Sequence, residues 1–502
     1  MSSQEKFSIN PLNNKKYKLP SVNDDVIGID SFLEKNKGKK VVVVQGLGFV
    51  GSVMSIVCAN ALKDDYAVIG IDLASEDSYW KIASINEGIF PVISSDQKVA
   101  KYYEEAKEKG NLYATFDPYA FSKADVIIVD INLDVSKNDH HINQNSPLTF
   151  DVNLENFKSA IKSIGKNCQE SALILIETTV PPGSTKIAQN IIQDCLQERD
   201  LGTSKIRIGH SYERVMPGPN YIDSIQNFYR VYSGVDDESA DSVERFLRTI
   251  ISTDEYPLTR LKSTNSTEMS KVLENSYRAM NIAFIVEWSR YAEESGVDLY
   301  EVVNAIRMRP THKNIMYPGI GVGGYCLTKD PLLASWSRQK IMDGNEALHF
   351  SEKAVLTNDR MPLDAYKFLR KHFIEPIKDK NIFMLGVSYG PDIGDTRYSP
   401  VQLLCELLIK DSANLFFHDP YVKYWTELHS DVEQDFNKLD RKTDIVIIST
   451  GHSFYIDNID LINTLNELED LFILDTIGIL SDLEIKKLSK KHKVKILGRG
   501  DI

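Results

Sequence analysis

The sequence predicts an α/β protein, with two doubly wound domains joined by a long central helix. Three observations predict it. Short, wholly apolar runs alternate with longer amphipathic stretches over the first half of the chain. The same alternation resumes near residue 380. Between them, at about 266–294, apolar residues recur with a helical period.

Taken in order, residues 1–38 are polar and read as an extension outside the catalytic core, with 26–33 as a short docked helix. VVVV (41–44) is continuously apolar and of strand length, which marks a strand covered on both faces. A Gly-rich turn and a helical stretch at 50–62 follow. AVIGID (67–72), ADVIIVDI (124–131) and ALILIE (172–177) repeat the strand pattern, so a parallel sheet is expected. In the central stretch Met269, Val272, Leu273, Met280, Phe284, Trp288, Tyr291 and Ala292 fall near a helical period. Ser263, Thr264 and Ser266 offer N-caps there, and Gly296 a stop. NIFMLGVSY (381–389), ANLFFHD (413–419), DIVIIST (444–450) and LFILDT (471–476) are the strands of the second domain. Helices are expected between them at 400–409 and 458–468. The expected division is an extension at 1–38, a first α/β domain at 39–260, a helical segment at 261–375 and a second α/β domain at 376–502.

A chain of 502 residues has room for about three domains. Lys and Arg number 58 against 71 Asp and Glu, a net charge of −13. That excludes nucleic acid or an anionic membrane as the main partner, because both require a basic face. No apolar run approaches the ~18 residues of a membrane span, and the first residues lack the apolar core of a secretory signal. The cysteines Cys58, Cys168, Cys195, Cys326 and Cys405 are odd in number and widely spaced, with no C-x-x-C pair. Neither a disulfide framework nor a metal site is expected, and a reducing, cytoplasmic setting fits best.

Gly46-Leu47-Gly48-Phe49-Val50-Gly51 follows a strand and opens a helix, and Asp72 ends the next strand. This is the dinucleotide fingerprint of a Rossmann-like domain in its proper context. Gly46 makes the turn, Gly48 admits the pyrophosphate and Gly51 lets helix and strand pack closely. Asp72 would hold the ribose hydroxyls and repel a 2′-phosphate, which selects NAD. A second glycine cluster, Gly319-Ile-Gly321-Val-Gly323-Gly324-Tyr325-Cys326, runs into Lys329-Asp330. Two readings stand: a ligand loop with a thiol activated by its charged neighbours, or a tight loop ending in an inert cysteine. Lys271 and Asn275 are one turn apart on the central helix. They could stabilise an oxyanion together, or Lys271 could pair with Glu268 or Glu274 on a solvated face.

The motifs GLGFVG (46–51), ETTVPPGST (177–185), YERVMPG (212–218), STEMSKVLENSYRAMNIAFIVE (266–287), GVGGYCLTKDP (321–331) and GVSYGPDIGDTRYSP (386–400) occur in one order. Together they resemble the UDP-glucose/GDP-mannose dehydrogenase family, over about residues 40–485. The resemblance implies a four-electron, NAD-dependent oxidation of the C6 hydroxymethyl of a nucleotide sugar. The product is a uronic acid for surface polysaccharide synthesis. The reaction would pass through a thiohemiacetal and a thioester on Cys326. Lys271 and Asn275 would hold the C6 oxygen, and Asp330 would activate water positioned by Thr179 and Glu213. Leu47, Phe49, Val50, Lys81, Thr178, Val180, Lys329 and Arg397 would join the fingerprint at the cofactor. Glu213, Arg214, Arg309, Lys313, Tyr317, Gly319, Gly321, Gly323 and Tyr389 would meet the substrate, together with Lys271 and Asn275. A homodimer or higher homo-oligomer built on the long helix is implied, with a cation for the diphosphate coming from the neighbouring subunit.

The chain departs from the family pattern at several places. Gly390 and Ile477 stand where relatives carry Lys and Arg, and Tyr325 where they carry Ser or His. The basic residue after Asp72 is displaced, with Lys81 its nearest match across an apparent insertion. ERVMPG favours a UDP-N-acetylhexosamine substrate, whereas TKDP after Cys326 is closer to the UDP-glucose branch. The alternatives are a two-electron hydroxyacid dehydrogenase, which needs no thiol, and a non-catalytic sugar-nucleotide sensor. His140 and His141 read as surface residues, Cys58 as core, and His452 as either a pocket residue or a strand end.

Overall fold

Strands buried on both faces have no polar side to offer, so aliphatic runs such as Val42–Val43–Val44 sit at the centre of a sheet. The computed structural model describes residues 5–21, 24–92, 94–138, 147–215, 218–456 and 458–502. His140, His141 and the Met216–Pro217 step of the YERVMPG motif lie outside them. The chain divides into two units, Met1–Ser136 with Asp151–Val272 and Trp336–Asn345, and Lys137–Phe150 with Leu273–Ser335 and Glu346–Ile502.

The first unit is built on an eight-stranded sheet. From one edge its order is Leu112–Thr115, Tyr66–Ile71, Lys40–Gln45, Val126–Val129, Leu173–Ile176, Arg207–His210, Val231–Gly234 and Thr259–Arg260. The first six are mutually parallel. Strand order reverses between Lys40–Gln45 and Val126–Val129, the place where such sheets bind their ligands. The strands expected at 41–44, 67–72, 124–131 and 172–177 are parallel as expected, and Val231–Gly234, which was not among them, runs antiparallel to Arg207–His210. Its sequence, VYSG, is short and half polar, so an apolar-run criterion passes over it.

The extension expected at 1–38, with its docked helix at 26–33, packs onto the first unit. A hairpin pairs Phe7–Ile9 with Lys16–Lys18, burying Ser8 and Tyr17 against the short helix Tyr79–Asn86. The helix Val26–Lys35 buries Ile29 and Phe32. Phe32 stacks on Tyr113, and Tyr113 and Thr115 donate their hydroxyls to Asp25. The extension is therefore a built part of the first unit.

The long helix is Thr264–Ser295, begun by Ser263, whose hydroxyl accepts from the Ser266 amide. The expected apolar stripe splits. Ala279, Ala283, Ile285, Val286 and Ala292 are buried, while Leu273, Tyr277, Phe284, Trp288 and Tyr291 are exposed. In the second unit the helix His349–His372 packs Ala354 against Ala279 and Ala283, and Asn358 Nδ2 donates to the Ala279 carbonyl. A five-stranded parallel sheet follows, ordered Asn414–His418, Asn381–Leu385, Ile445–Ile448, Phe472–Asp475 and Lys493–Ile496. Its order also reverses once, between Asn381–Leu385 and Ile445–Ile448.

Candidate functional site

In the first unit the fingerprint occupies the reversal of strand order. Gly46 has φ +98°, and a Cβ there would lie 2.1 Å from the Asp130 carbonyl oxygen. A Cβ on Gly51 would lie 1.8 Å from the Gly46 carbonyl oxygen, so the first turn of the helix Phe49–Ala59 closes only on glycine. A Cβ on Gly48 would meet nothing within 4 Å, which leaves its backbone open to a ligand. Asp72 accepts from the Leu47 amide (3.0 Å) and from Lys81 Nζ (2.9 Å) through Oδ2, and from the Leu73 amide through Oδ1. An open glycine, a helix that begins at Phe49 and an acid beside them fit a dinucleotide.

Thr178 joins the ends of two neighbouring strands. Its hydroxyl donates to the Val129 carbonyl and accepts from the Ile131 amide. Thr179 follows half-buried, and Val180 is buried. Lys271 does not take Glu268 as its partner. Lys271 is buried, donates to the Glu213 carbonyl at 2.8 Å and lies 3.5 Å from the Glu213 carboxylate and over the Tyr212 ring. Glu268 is buried instead among the Gly183 and Thr185 amides and the Thr185 hydroxyl, which all donate to it. Burial still pushes its carboxyl up to about 7. Arg214 turns its guanidinium onto Tyr229 O, Tyr212 Oη and the Phe228 ring.

Sequence reasoning missed the charged floor beneath these groups. Glu177 and Arg230 form a buried ion pair. Asp130 is half-buried beside the fingerprint, and desolvation, reinforced by Glu213, holds its carboxyl well above the usual range. His210 is buried too, and desolvation pushes its imidazole down to about 3. Glu177 lies within the ETTVPPGST motif, but nothing local announces Arg230 as its partner.

In the second unit, Cys326 is exposed, whereas Cys58, Cys168, Cys195 and Cys405 are buried. Burial pushes the Cys58 thiol up to about 12 and that of Cys168 up to about 11, which leaves both inert. The Cys326 carbonyl accepts from the Lys329 and Asp330 amides, so the thiol sits one turn ahead of two buried charges. Lys329 Nζ is 2.8 Å from Asp330 Oδ1 and over the Tyr325 ring, and Asn275 Nδ2 donates to Asp330 Oδ2 at 2.6 Å. Lys137 Nζ ties the Thr328 carbonyl to Asp359.

The glycines before Cys326 first serve packing. A Cβ on Gly321 would lie 2.3 Å from Pro400 Cβ, one on Gly323 2.5 Å from Tyr389 Cβ, and Gly319 alone is open. Tyr317 stacks on Tyr300 at 5.9 Å and carries Arg307 on its ring. A cavity of about 830 Å³ is lined by Tyr300, Asn304, Tyr317, Ile477, Gly478 and Arg499. Arg309 and Lys313 are exposed nearby in sequence. Arg397 is held by Asp395 at 2.7 Å. His452, in the loop after the strand Ile445–Ile448, is fully buried, 3.0 Å from Asp419 and accepting from the Asp392 amide. Among the described residues, no group of three or more His, Cys, Asp and Glu side chains could hold a metal ion, and no helix is long and apolar enough to cross a membrane.

Models of three domains match the chain. They are the NAD binding domain of the UDP-glucose/GDP-mannose dehydrogenase family over residues 39–251, its central domain over 265–360 and its UDP binding domain over 383–482. UDP-N-acetyl-D-mannosamine dehydrogenase of Methanocaldococcus jannaschii is 29% identical over 474 residues, 93% of this chain and 98% of that protein. NDP-N-acetyl-D-galactosaminuronic acid dehydrogenase of Ralstonia nicotianae is 25% identical over 455 residues, 88% and 96% of the two chains. The solved structure of UDP-D-ManNAc dehydrogenase from Pyrococcus horikoshii superposes with a TM-score of 0.75 at 26% identity, covering 92% of this chain and 100% of that one.

Proposed function

Because the chain belongs to the UDP-glucose/GDP-mannose dehydrogenase family, we propose that it oxidises the C6 hydroxymethyl of a nucleotide sugar to a carboxylate, holding the intermediate on Cys326. It carries the family's NAD-binding domain, and its cofactor is NAD. The observation that carries the proposal is the setting of Cys326. It is the exposed thiol among five, one turn ahead of a buried Asp330 that Lys329 and Asn275 hold in place.

Gly46, Gly48, Gly51 and Asp72 hold the cofactor, with Lys81 steadying Asp72. Bound NAD supplies the hydride acceptor for both oxidations. The chain does the rest. Lys271 and Asn275 donate to the C6 oxygen and stabilise negative charge as it develops there. The Cys326 thiolate adds to the aldehyde carbon, forming a C–S bond as the carbonyl π bond opens. Oxidation of that thiohemiacetal leaves a thioester. Water positioned by Thr179, Glu213 and Asp330 adds to the thioester and expels the thiolate, and Asp330 takes the water proton.

A UDP-N-acetylhexosamine is the substrate we favour over UDP-glucose. The ERVMPG motif and the names of the relatives support it. Tyr317 and the cavity beside it are the proposed nucleotide contacts, and a cavity of about 830 Å³ has the size a nucleotide needs. The working protein is a homo-oligomer. Leu273, Tyr277, Phe284, Trp288 and Tyr291 form an exposed apolar stripe on the long helix, and a second copy of that helix would cover it.

The test is a panel of UDP- and GDP-sugars followed at the NADH absorbance. Two NADH per sugar consumed supports the proposal. One NADH would favour the two-electron dehydrogenase, and NAD binding without reduction would favour a sensor.

A further inference from the structure

The hairpin Phe7–Lys18 does not rest on an arbitrary surface. It grips the segment that carries Lys81. The Ser8 hydroxyl donates to the Glu76 carbonyl at 2.6 Å and accepts from the Trp80 amide at 3.0 Å. Asn10 Nδ2 donates to the Ser84 hydroxyl at 3.1 Å, and Ser84 donates to Tyr17 Oη at 3.2 Å. Tyr17 donates in turn to Glu87, which also pairs with Lys15. Ser8, Asn10 and Ser84 are completely buried. A buried polar network of this kind is costly unless every member is in place, so it defines one position for the helix Tyr79–Asn86.

That helix presents Lys81 to Asp72 Oδ2 at 2.9 Å, and the same oxygen accepts from the Leu47 amide of the fingerprint. Between Asp72 and the helix lies a loop, residues 73–78, whose Leu73 is largely exposed. A lysine delivered across such a loop is held only as well as its helix is held. Ser8 closes on the loop at Glu76 and on the helix at Trp80, bracing the loop and the helix together.

We propose that the N-terminal hairpin is a brace for the adenosine-ribose end of the NAD site, with Ser8, Asn10 and Tyr17 as positioning residues that act through Lys81 on Asp72. They touch neither cofactor nor substrate. Their effect is on affinity for the adenosine half of the cofactor, because Asp72 is the group they hold in place. The proposal rests on the NAD site and is independent of which sugar is oxidised.

Direct binding tests it. NADH fluorescence titration, competition by ADP-ribose and competition by nicotinamide mononucleotide are measured on the full chain, on Asn10→Ala, on Tyr17→Phe and on a chain lacking residues 1–20. In Asn10→Ala the dissociation constants of NADH and ADP-ribose should rise together by about fivefold, the size of one lost hydrogen bond. That of nicotinamide mononucleotide should not change. In turnover with an active sugar, the KM for NAD should rise by the same factor, with kcat and the sugar KM unchanged. Unchanged NADH affinity in the truncated chain, at an unaltered unfolding midpoint, would overturn the proposal. An equal loss for nicotinamide mononucleotide would also overturn it, since it would mean general loosening of the unit. If truncation prevents folding, the two point variants decide. If no sugar is oxidised but the binding shifts appear, the brace stands and the substrate assignment fails.

Discussion

Asn275 Nδ2 lies 2.6 Å from Asp330 Oδ2, and Asp330 is fully buried with Lys329 2.8 Å from its other oxygen. The carboxylate is thus aimed by the Asn275 amide and charge-balanced by Lys329. Such a group suits a base that must act on one water and nowhere else.

Asp330→Asn keeps the shape and removes the base. Thioester formation should survive and its hydrolysis should not. We expect a burst of about two NADH per subunit, then steady turnover lowered by ~100-fold or more. Rapid-mixing absorbance and intact-protein mass, which would show the acylated chain, check this. A proportional loss of burst and steady rate would remove Asp330 from the hydrolytic step.

Cys326→Ser should stop release of the uronic acid while NADH titration remains normal, because the thiol sits on a loop of the second unit and the fingerprint is in the first. Product chromatography is the measurement. Full turnover in this variant would be incompatible with a covalent route.

The two fingerprint glycines should fail differently. Gly51→Ala places a Cβ 1.8 Å from the Gly46 carbonyl, so the turn must open, and the unfolding temperature should drop by several degrees, about 2–5 °C per kcal/mol lost. Gly48→Ala meets nothing within the protein, so its unfolding temperature should hold. Its NADH affinity should fall by about tenfold or more, since the added methyl occupies the pyrophosphate approach. Thermal scanning and NADH titration separate the two effects.

His210 makes the first unit sensitive to acid. Its imidazole is pushed from 6.5 down to about 3 in the folded chain, with Nδ1 bonded to the Thr267 hydroxyl. The unfolded chain takes up a proton below about 6.5 that the folded chain refuses. This contribution to stability is complete above that pH and is lost progressively as pH falls towards 3. By pH 5 the loss is about 2 kcal/mol. His210→Gln should flatten the dependence of the urea midpoint between pH 7 and pH 5. An unchanged slope would show that other groups govern it.

Local pattern carried the cofactor half of the site. GLGFVG after VVVV, with Asp72 ending the next apolar run, specifies a strand, a turn and a helix through steric rules that act over a few residues. The spacing of Lys271 and Asn275 likewise placed them one turn apart on the long helix. The motif GVGGYCLTKDP singled out Cys326 by resemblance, but the sequence did not say which thiols would be buried. Burial of four and exposure of Cys326 come from packing between distant segments. Nor did Lys271 declare its partner: Glu268 is nearer in sequence, yet Glu213 lies beside it and Glu268 answers to Gly183 and Thr185. The docking of the first 20 residues was not legible because the buried Ser8 and Asn10 are hydrophilic and hydrogen-bond to groups some 70 residues away. The alternation of elements and the fingerprint were legible residue by residue, because they follow from local sterics and periodicity. Which charges pair, which glycines serve packing and which thiol stays open to solvent were not, because burial and partner choice are set by contacts between segments far apart in the chain.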